Sequence, residues 1–443
     1  MRSGHDVLDV IGIGIGPANL SLAALLAGAG GTALEAEFLD SRPRFEWHPG
    51  LMLPDAQMQV HYLKDLVTPV DPTNPFSFPS FLVDTKRFYR LLVTGRTKVP
   101  RREFEQYCRW AAERIPGLRF GVGVHDVRWD GELFAVRTDR GVLRARNVVS
   151  GTGLPPKLPA CAAGLDPARV LHASALLDAP REFAGRRVAV VGGGQSGAEV
   201  VHHLLTTRDR PASIVWGTSR PNMLPLDDSP FVDELFVPNY SRYFHGLPAG
   251  RRAELVRQQQ MASDGVSVSL LEAIYRRLYD LEMLEQVPRP CTVLLGHRLT
   301  GIEETGSGLV TAWLPHDGDQ VRHEVDLVVC ATGYQHDLPR PLAPLRSVLL
   351  SGDGTPRVRA DFSLDWTGPA GNRVYVQNAA RQHFGVADPN LSLLAWRSAT
   401  IANSLLGFER YDTGAVSAAL DWQTADSEAA ADRNETNRTV VHR

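Results

Sequence analysis

Residues Val188 to Val200 read VAVVGGGQSGAEV, a pattern that leaves few folds open. Small and β-branched apolar residues end on Gly192, Gly194 and Gly197, and an amphipathic run through Glu199, Val201, Leu204 and Leu205 follows. The order is strand, tight turn, helix. In a G-x-G-x-x-G turn the first glycine permits the bend, the second lets backbone amides approach a pyrophosphate, and the third lets helix pack on strand. The helix N-terminus adds partial positive charge. Gly192, Gly194, Gln195, Ser196 and Gly197 are therefore expected to cradle a dinucleotide. A second strand, Ile214 to Arg220, follows at the required distance and ends on Ser219 and Arg220. An acid there would select NAD. A cation favours the 2′-phosphate of NADP.

A second glycine turn lies near the amino terminus, at Gly12, Gly14 and Gly16, with Pro17 opening a helix. Its third glycine stands one residue early and Pro17 takes the expected place, which a first helical turn tolerates. The short strand AEFLD then ends on Asp40, the expected acceptor for a ribose hydroxyl. Two such turns 180 residues apart imply two dinucleotides, FAD on the first and NADPH on the second. The expected fold is α/β, with two Rossmann-like domains.

At 443 residues the chain exceeds one ordinary core. A formal charge of −3 provides no basic field for nucleic acid. Cys108, Cys161, Cys291 and Cys330 are too scattered for a zinc knuckle or a Cys-x-x-Cys redox pair. No metal site is expected, and the thiols read as reduced, in a cytoplasmic protein. The chain enters its first strand near Val7, which argues against a secretion signal. The apolar run Leu20 to Leu34 is broken by glycines and falls short of a membrane span, reading as a buried helix with its exit turn.

In chain order, residues 1–183 are expected to form the first part of the FAD domain and 184–324 the NADPH domain. The latter carries an insertion at about 221–288, polar turns feeding aromatic helices, where a substrate pocket is expected. The buried strand VDLVVC and the following Ala331, Thr332, Gly333 and Tyr334 are read as a return to the FAD domain, over 325–423. Thr332, Gly333 and Tyr334 are candidate cofactor contacts. The polar tail 424–443 has no core pattern and is expected to be disordered.

The segments GIGPANLSLA, WHPGLMLPDAQMQ, LKDLVTPVDPTNPFSF, VVGGGQSGAE, ATGY and DPNLSLLAWRSA together resemble the flavin-dependent N-hydroxylating monooxygenases. These hydroxylate the terminal amine of lysine, ornithine or a diamine for siderophores and related metabolites. The resemblance implies that NADPH reduces FAD and that a flavin hydroperoxide, formed with dioxygen, oxidises the amine. It places Trp47 and His48 in a flavin-contacting loop, Gln59 against the flavin as the catalytic residue, and Lys64 on the substrate carboxylate. Ser392 falls in a stretch that closes over flavin and substrate. Asp233 and Asp264 stand where ornithine-specific members carry asparagine, a pattern similar to the lysine hydroxylases. Phe384 occupies a place where the family more often has histidine, with His383 one residue before. Three readings stay open: a lysine N6-hydroxylase, the same chemistry on ornithine, putrescine or cadaverine, and a flavoprotein that no longer oxygenates. The sequence leaves oligomeric state open, a homo-oligomer included.

Overall fold

The computed structural model describes residues 7–28, 34–178, 182–349 and 354–422. The exit turn after Gly28 and the tail beyond Trp422 lie outside them. Two parallel sheets dominate. The first has the order Leu118–Phe120, Ala36–Asp40, Leu8–Ile13, Gly141–Ser150, with Val374–Val376 on the far side of the last. The long strand Gly141–Ser150 is shared: its first half pairs antiparallel with Phe134–Thr138, and its second half runs parallel to Val374–Val376. Leu118–Phe120 and Val124–Trp129, close in the chain, stand at opposite edges of this sheet.

The second sheet has the order Cys291–Leu294, Ser213–Gly217, Arg187–Val191, Leu327–Cys330, Val170–His172. Both sheets repeat one plan: a central strand, a glycine turn, a helix and a neighbouring strand, then an antiparallel excursion before the strand on the other side. In the second sheet that excursion is the meander His297–Thr305, Gly308–Pro315, Val321–Val325. The central strands carry apolar side chains on both faces, as in Val10, Ile11, Ala189 and Val190, all fully buried.

The expected return to the first domain at residue 325 is corrected here. Leu327–Cys330 lies inside the second sheet, hydrogen-bonded to Arg187–Val191 and to Val170–His172. The second sheet thus also draws on residues before 184. A short continuous apolar run identifies a buried strand but carries nothing about which sheet receives it.

Residues 230–284 are mostly helical. Pro230–Asp233 and Pro238–Gly246 each open on proline, whose missing N–H is harmless in the first turn. Leu235, Phe236, Tyr240, Phe244 and Leu255 pack into the core of the first sheet. Ile274 and Leu281, from Val268–Tyr279 and the turn after it, join the core of the second. The insertion therefore bridges both sheets.

Candidate active site

The two glycine turns are superimposable in plan once the helix starts are aligned. Strand Arg187–Val191 is followed by Gly192, then Gly194 precedes the helix Gln195–Thr206. Strand Leu8–Ile13 is followed by Gly14, then Gly16 precedes the helix Pro17–Gly28. Gly14 (φ 83°) and Gly192 (φ 127°) both take left-handed backbone that disfavours any side chain. The first fingerprint is therefore Gly14-x-Gly16-x-x-Asn19, and Gly12 lies inside the strand, where a Cβ would strike the Phe38 ring. The early third glycine expected from the sequence disappears in this register.

Asn19 takes the place of Gly197. A Cβ on Gly197 would collide with the Gly192 carbonyl, so that helix approaches its strand by having no side chain. Asn19 is fully buried and replaces the close approach with hydrogen bonds, donating to the carbonyls of Ile13 (3.1 Å), Gly14 (2.8 Å) and Val149 (3.4 Å). Gly151 leaves it room: a Cβ there would stand 2.6 Å from the Asn19 side chain. Sequence reasoning missed Asn19, although its spacing from Gly14 matches that of Gly197 from Gly192.

A cavity of about 820 Å³ opens over the first turn, lined by Gly14, Gly16, Asp40, Trp47, His48 and the Gly151–Leu154 loop. Asp40 accepts from Ile15 N–H (2.8 Å) and from the Arg42 backbone and guanidinium. Arg42 and these hydrogen bonds hold its carboxyl below the usual range against the opposing effect of burial. With four donors already on its two oxygens, Asp40 braces the turn, and a ribose hydroxyl would have to share it with Arg42. His48 is open to the cavity in a left-handed conformation (φ 46°) beside Trp47. The surrounding protein, with Arg101 and Arg42, pushes its imidazole down to about 4, so it is neutral at pH 7.

A second cavity, about 990 Å³, lies over Gly192–Ser196 and the strand exit Gly217–Arg220. Its lining has the cations Lys157, Arg220, Arg298 and Arg381 against one acid, Asp264. Thr332 and Gly333 line this cavity, and Leu154, Tyr334 and Pro389 line both, so the two spaces meet. His172 Nε2 donates to the Gly333 carbonyl (3.0 Å), which leaves Nδ1 to accept from the Ser174 hydroxyl.

Gln59 lines the second cavity and is absent from the lining of the first. It closes a chain of contacts. Gln59 Nε2 donates to Ser267 Oγ (3.4 Å), Ser267 N–H (2.9 Å) and Oγ donate to Gln195 Oε1, and Gln195 Nε2 donates to Glu199 (2.9 Å). Arg101, from the helix Arg101–Ala112, grips Glu199 with both guanidinium ends at 2.8 and 2.9 Å. Arg101 and Ser267 carried no sequence signal, because their roles exist only through partners remote in the chain.

Lys64 and Ser392, 328 residues apart in the chain, meet at 3.4 Å. Burial lowers the ammonium's pKa, Asp233 opposes that shift, and Lys98 adds to it. Asp264, expected to bind substrate, stands apart from Lys64: it pairs with Arg381 on the wall of the second cavity. Arg220, expected at a 2′-phosphate, directs Nη1 to the carbonyls of Gly193 (3.2 Å) and Asp264 (2.8 Å). Phe384 stacks on Phe362 at 4.1 Å and lies 4.8 Å from His245, so an aromatic core fills the place where histidine was expected. No group of three or more potential metal ligands gathers among the described residues, and none of their helices is long and apolar enough to cross a membrane.

Residues 6–336 match the family model described as L-lysine 6-monooxygenase/L-ornithine 5-monooxygenase. The chain is 40% identical to the L-lysine N6-monooxygenase of Escherichia coli, over 94% of this chain and 99% of that one. Its fold is similar to the FAD-bound cadaverine monooxygenase of Erwinia amylovora, with TM-score 0.86, 30% identity, and 95% and 100% coverage. It is also similar to the ornithine N-hydroxylase of Kutzneria sp. 744 with reduced FAD, NADP+ and L-ornithine, with TM-score 0.82, 29% identity, and 90% and 99% coverage.

Proposed function

Because this chain belongs to the flavin-dependent N-hydroxylating monooxygenases, we propose that it hydroxylates the terminal side-chain amine of L-lysine, giving N6-hydroxylysine for a siderophore or related metabolite. The observation that carries the choice of an amino acid is the contact of Lys64 with Ser392, with Asp233 acting on the same ammonium. FAD suits the first cavity, where Gly14 and Gly16 leave the backbone bare at a helix N-terminus. NADPH suits the second, whose cationic lining matches its extra phosphate. When bound and reduced by NADPH, the flavin supplies oxygen activation.

The protein's own part is to bind, orient and exclude water. Lys64 holds the substrate carboxylate through a charge-assisted hydrogen bond, and Ser392 orients the Lys64 ammonium. Asp233 offers a carboxylate to the α-ammonium of the same substrate. His48, neutral at pH 7, adds no positive charge to the wall of the first cavity. The reacting amine must lose its proton to act as a nucleophile, and a dry pocket favours that form.

The test is a panel of lysine, ornithine, putrescine and cadaverine with NADPH and FAD, scored for hydroxylamine. Lysine is expected to lead, and cadaverine, the same chain without a carboxylate, to be poor, because its second ammonium would face Lys64. Cadaverine turning over better than lysine would overturn the choice of substrate and promote the diamine reading. NADPH consumption without hydroxylated product from any of the four would favour a flavoprotein that no longer oxygenates.

A further inference from the structure

The cationic second cavity leaves one question of coenzyme choice to the geometry. Four cations line it, but they are not equally free. Arg381 is held by the Asp264 carboxylate at 3.3 Å through both terminal nitrogens. Arg220 is a strut: its Nη1 ties the glycine turn, through the Gly193 carbonyl, to the insertion, through the Asp264 carbonyl. Lys157 stands on the wrong side. Its backbone is bonded to Gly333 and Thr332, beyond the end of Leu327–Cys330, whereas a dinucleotide's 2′ position is read at the end of the strand on the other side of the turn, here Ser213–Gly217.

Arg298 is on the correct side. It lies at the start of the strand His297–Thr305, and that start and the turn before it are zipped to the exit of Ser213–Gly217 by three backbone bonds, Thr218 N–H to Leu294 O (3.0 Å), His297 N–H to Thr218 O (2.8 Å) and Gly296 N–H to Arg220 O (2.7 Å). His316 Nε2 adds a fourth tie, to the Ser219 carbonyl (3.0 Å). These bonds fix the backbone of His297 and Arg298 beside Ser219 and Arg220. Among the described residues the Arg298 guanidinium has no hydrogen bond or ion pair, although it lines the cavity. The Arg298 side chain is exposed, but its backbone is anchored at the edge where a 2′ group is read, so the guanidinium can turn to an anionic group there, and arginine suits a phosphate monoester because its planar fork can engage two oxygens.

We infer that Arg298 is a specificity-determining residue for the coenzyme's 2′-phosphate, with Arg220 acting chiefly as the strut that shapes the turn. The inference rests on the reading of the second cavity as the NADPH site. Two fragments that differ only in the group at issue, adenosine 2′,5′-bisphosphate and adenosine 5′-monophosphate, test it by calorimetric binding to the FAD-loaded protein. Arg298→Ala is expected to weaken the bisphosphate by about 10- to 100-fold while changing the monophosphate by less than about threefold, the loss of a charged hydrogen bond from one ligand alone. Arg298→Lys is expected to recover part of the preference, since charge returns without the fork. Arg220→Ala is expected to weaken both fragments together. An unchanged preference in Arg298→Ala, or a preference abolished by Arg220→Ala alone, overturns the inference while leaving the NADPH reading intact. If the unaltered protein does not favour the bisphosphate, the NADPH reading itself falls and this inference falls with it.

Discussion

Asn19 shows how one side chain can do by hydrogen bonding what a glycine does by absence. It joins the first helix to its strand through three carbonyls, and its own Oδ1 accepts from Gln377 Nε2 at 2.8 Å. Asn19→Ala should therefore cost about 2–4 kcal/mol, from several net hydrogen bonds lost and buried carbonyls left unpaired. Denaturant unfolding of the FAD-free chain measures this, and FAD titration should show weaker binding because the same turn frames the first cavity. Lys64 makes a second prediction at this scale. Its pKa lies below the ordinary 10.5, chiefly through burial. Being charged only below that lowered value, it should lose its grip on the substrate carboxylate earlier as pH rises. The alkaline limb of lysine binding to the oxidised enzyme, read as its dissociation constant against pH, should follow Lys64 and move upward in Lys64→Arg. Lys64→Ala should raise KM by about 10- to 100-fold with a smaller fall in kcat, the pattern of lost uniform binding. An unmoved alkaline limb in Lys64→Arg would count against Lys64 as the titrating group.

At the scale of elements, the segment from Gln377 to Ser392 touches every part of the site. Asn378 lines the first cavity, Arg381 the second, Pro389 both, and Ser392 meets Lys64. Behind it lies a buried knot. Arg397, 1% exposed, donates to the backbone carbonyl and carboxylate of Asp388, to Asn378 Oδ1 (2.7 Å) and to Gln377 Oε1, while Asp388 Oδ2 accepts from Ala380 N–H (2.8 Å). Arg397→Met should cost about 3–5 kcal/mol by stranding a buried carboxylate, and the double change with Asp388→Leu should cost less than that single change. Thermal or denaturant unfolding of the three proteins decides it. The sequence made some of these elements legible and hid others for a physical reason. Strand, turn and helix around Gly192 could be read because local periodicity and glycine spacing encode them. The sheet that receives Leu327–Cys330, the meeting of Lys64 with Ser392 and the pairing of Asp264 with Arg381 could not, because pairing across hundreds of residues leaves no local pattern. The resemblance located Lys64 and Ser392 as site residues, but only the fold put their side chains in contact. Gln59 was expected against the flavin, and its side chain meets Ser267 of the insertion on the wall of the second cavity, which adjoins the first.

At the scale of the whole molecule, the chain Arg101–Glu199–Gln195–Ser267–Gln59 crosses from an element of the first half, through the helix Gln195–Thr206 and the insertion, back to the loop before Lys64. Gln59 is thereby held by the insertion and by the helix that follows the second glycine turn, the turn proposed to hold NADPH. Gln59→Ala should keep oxidising NADPH while product per NADPH falls and hydrogen peroxide rises. Glu199→Gln, which weakens the grip of Arg101 two links away, should shift the same ratio in the same direction by a smaller amount. An unchanged ratio of hydroxylated lysine to NADPH consumed in both variants would argue that this chain has no part in coupling reduction to hydroxylation.

The late arrival of Leu327–Cys330 bears on how a ribosome delivers this protein. Its two sheet neighbours, Val170–His172 and Arg187–Val191, emerge first and must wait through the whole insertion and meander for the strand that belongs between them. Until residue 330 is made, their facing backbone edges are unpaired and open to other chains. A nascent chain stalled shortly before that strand should be a client of chaperones, whereas one released shortly after it can close its second sheet.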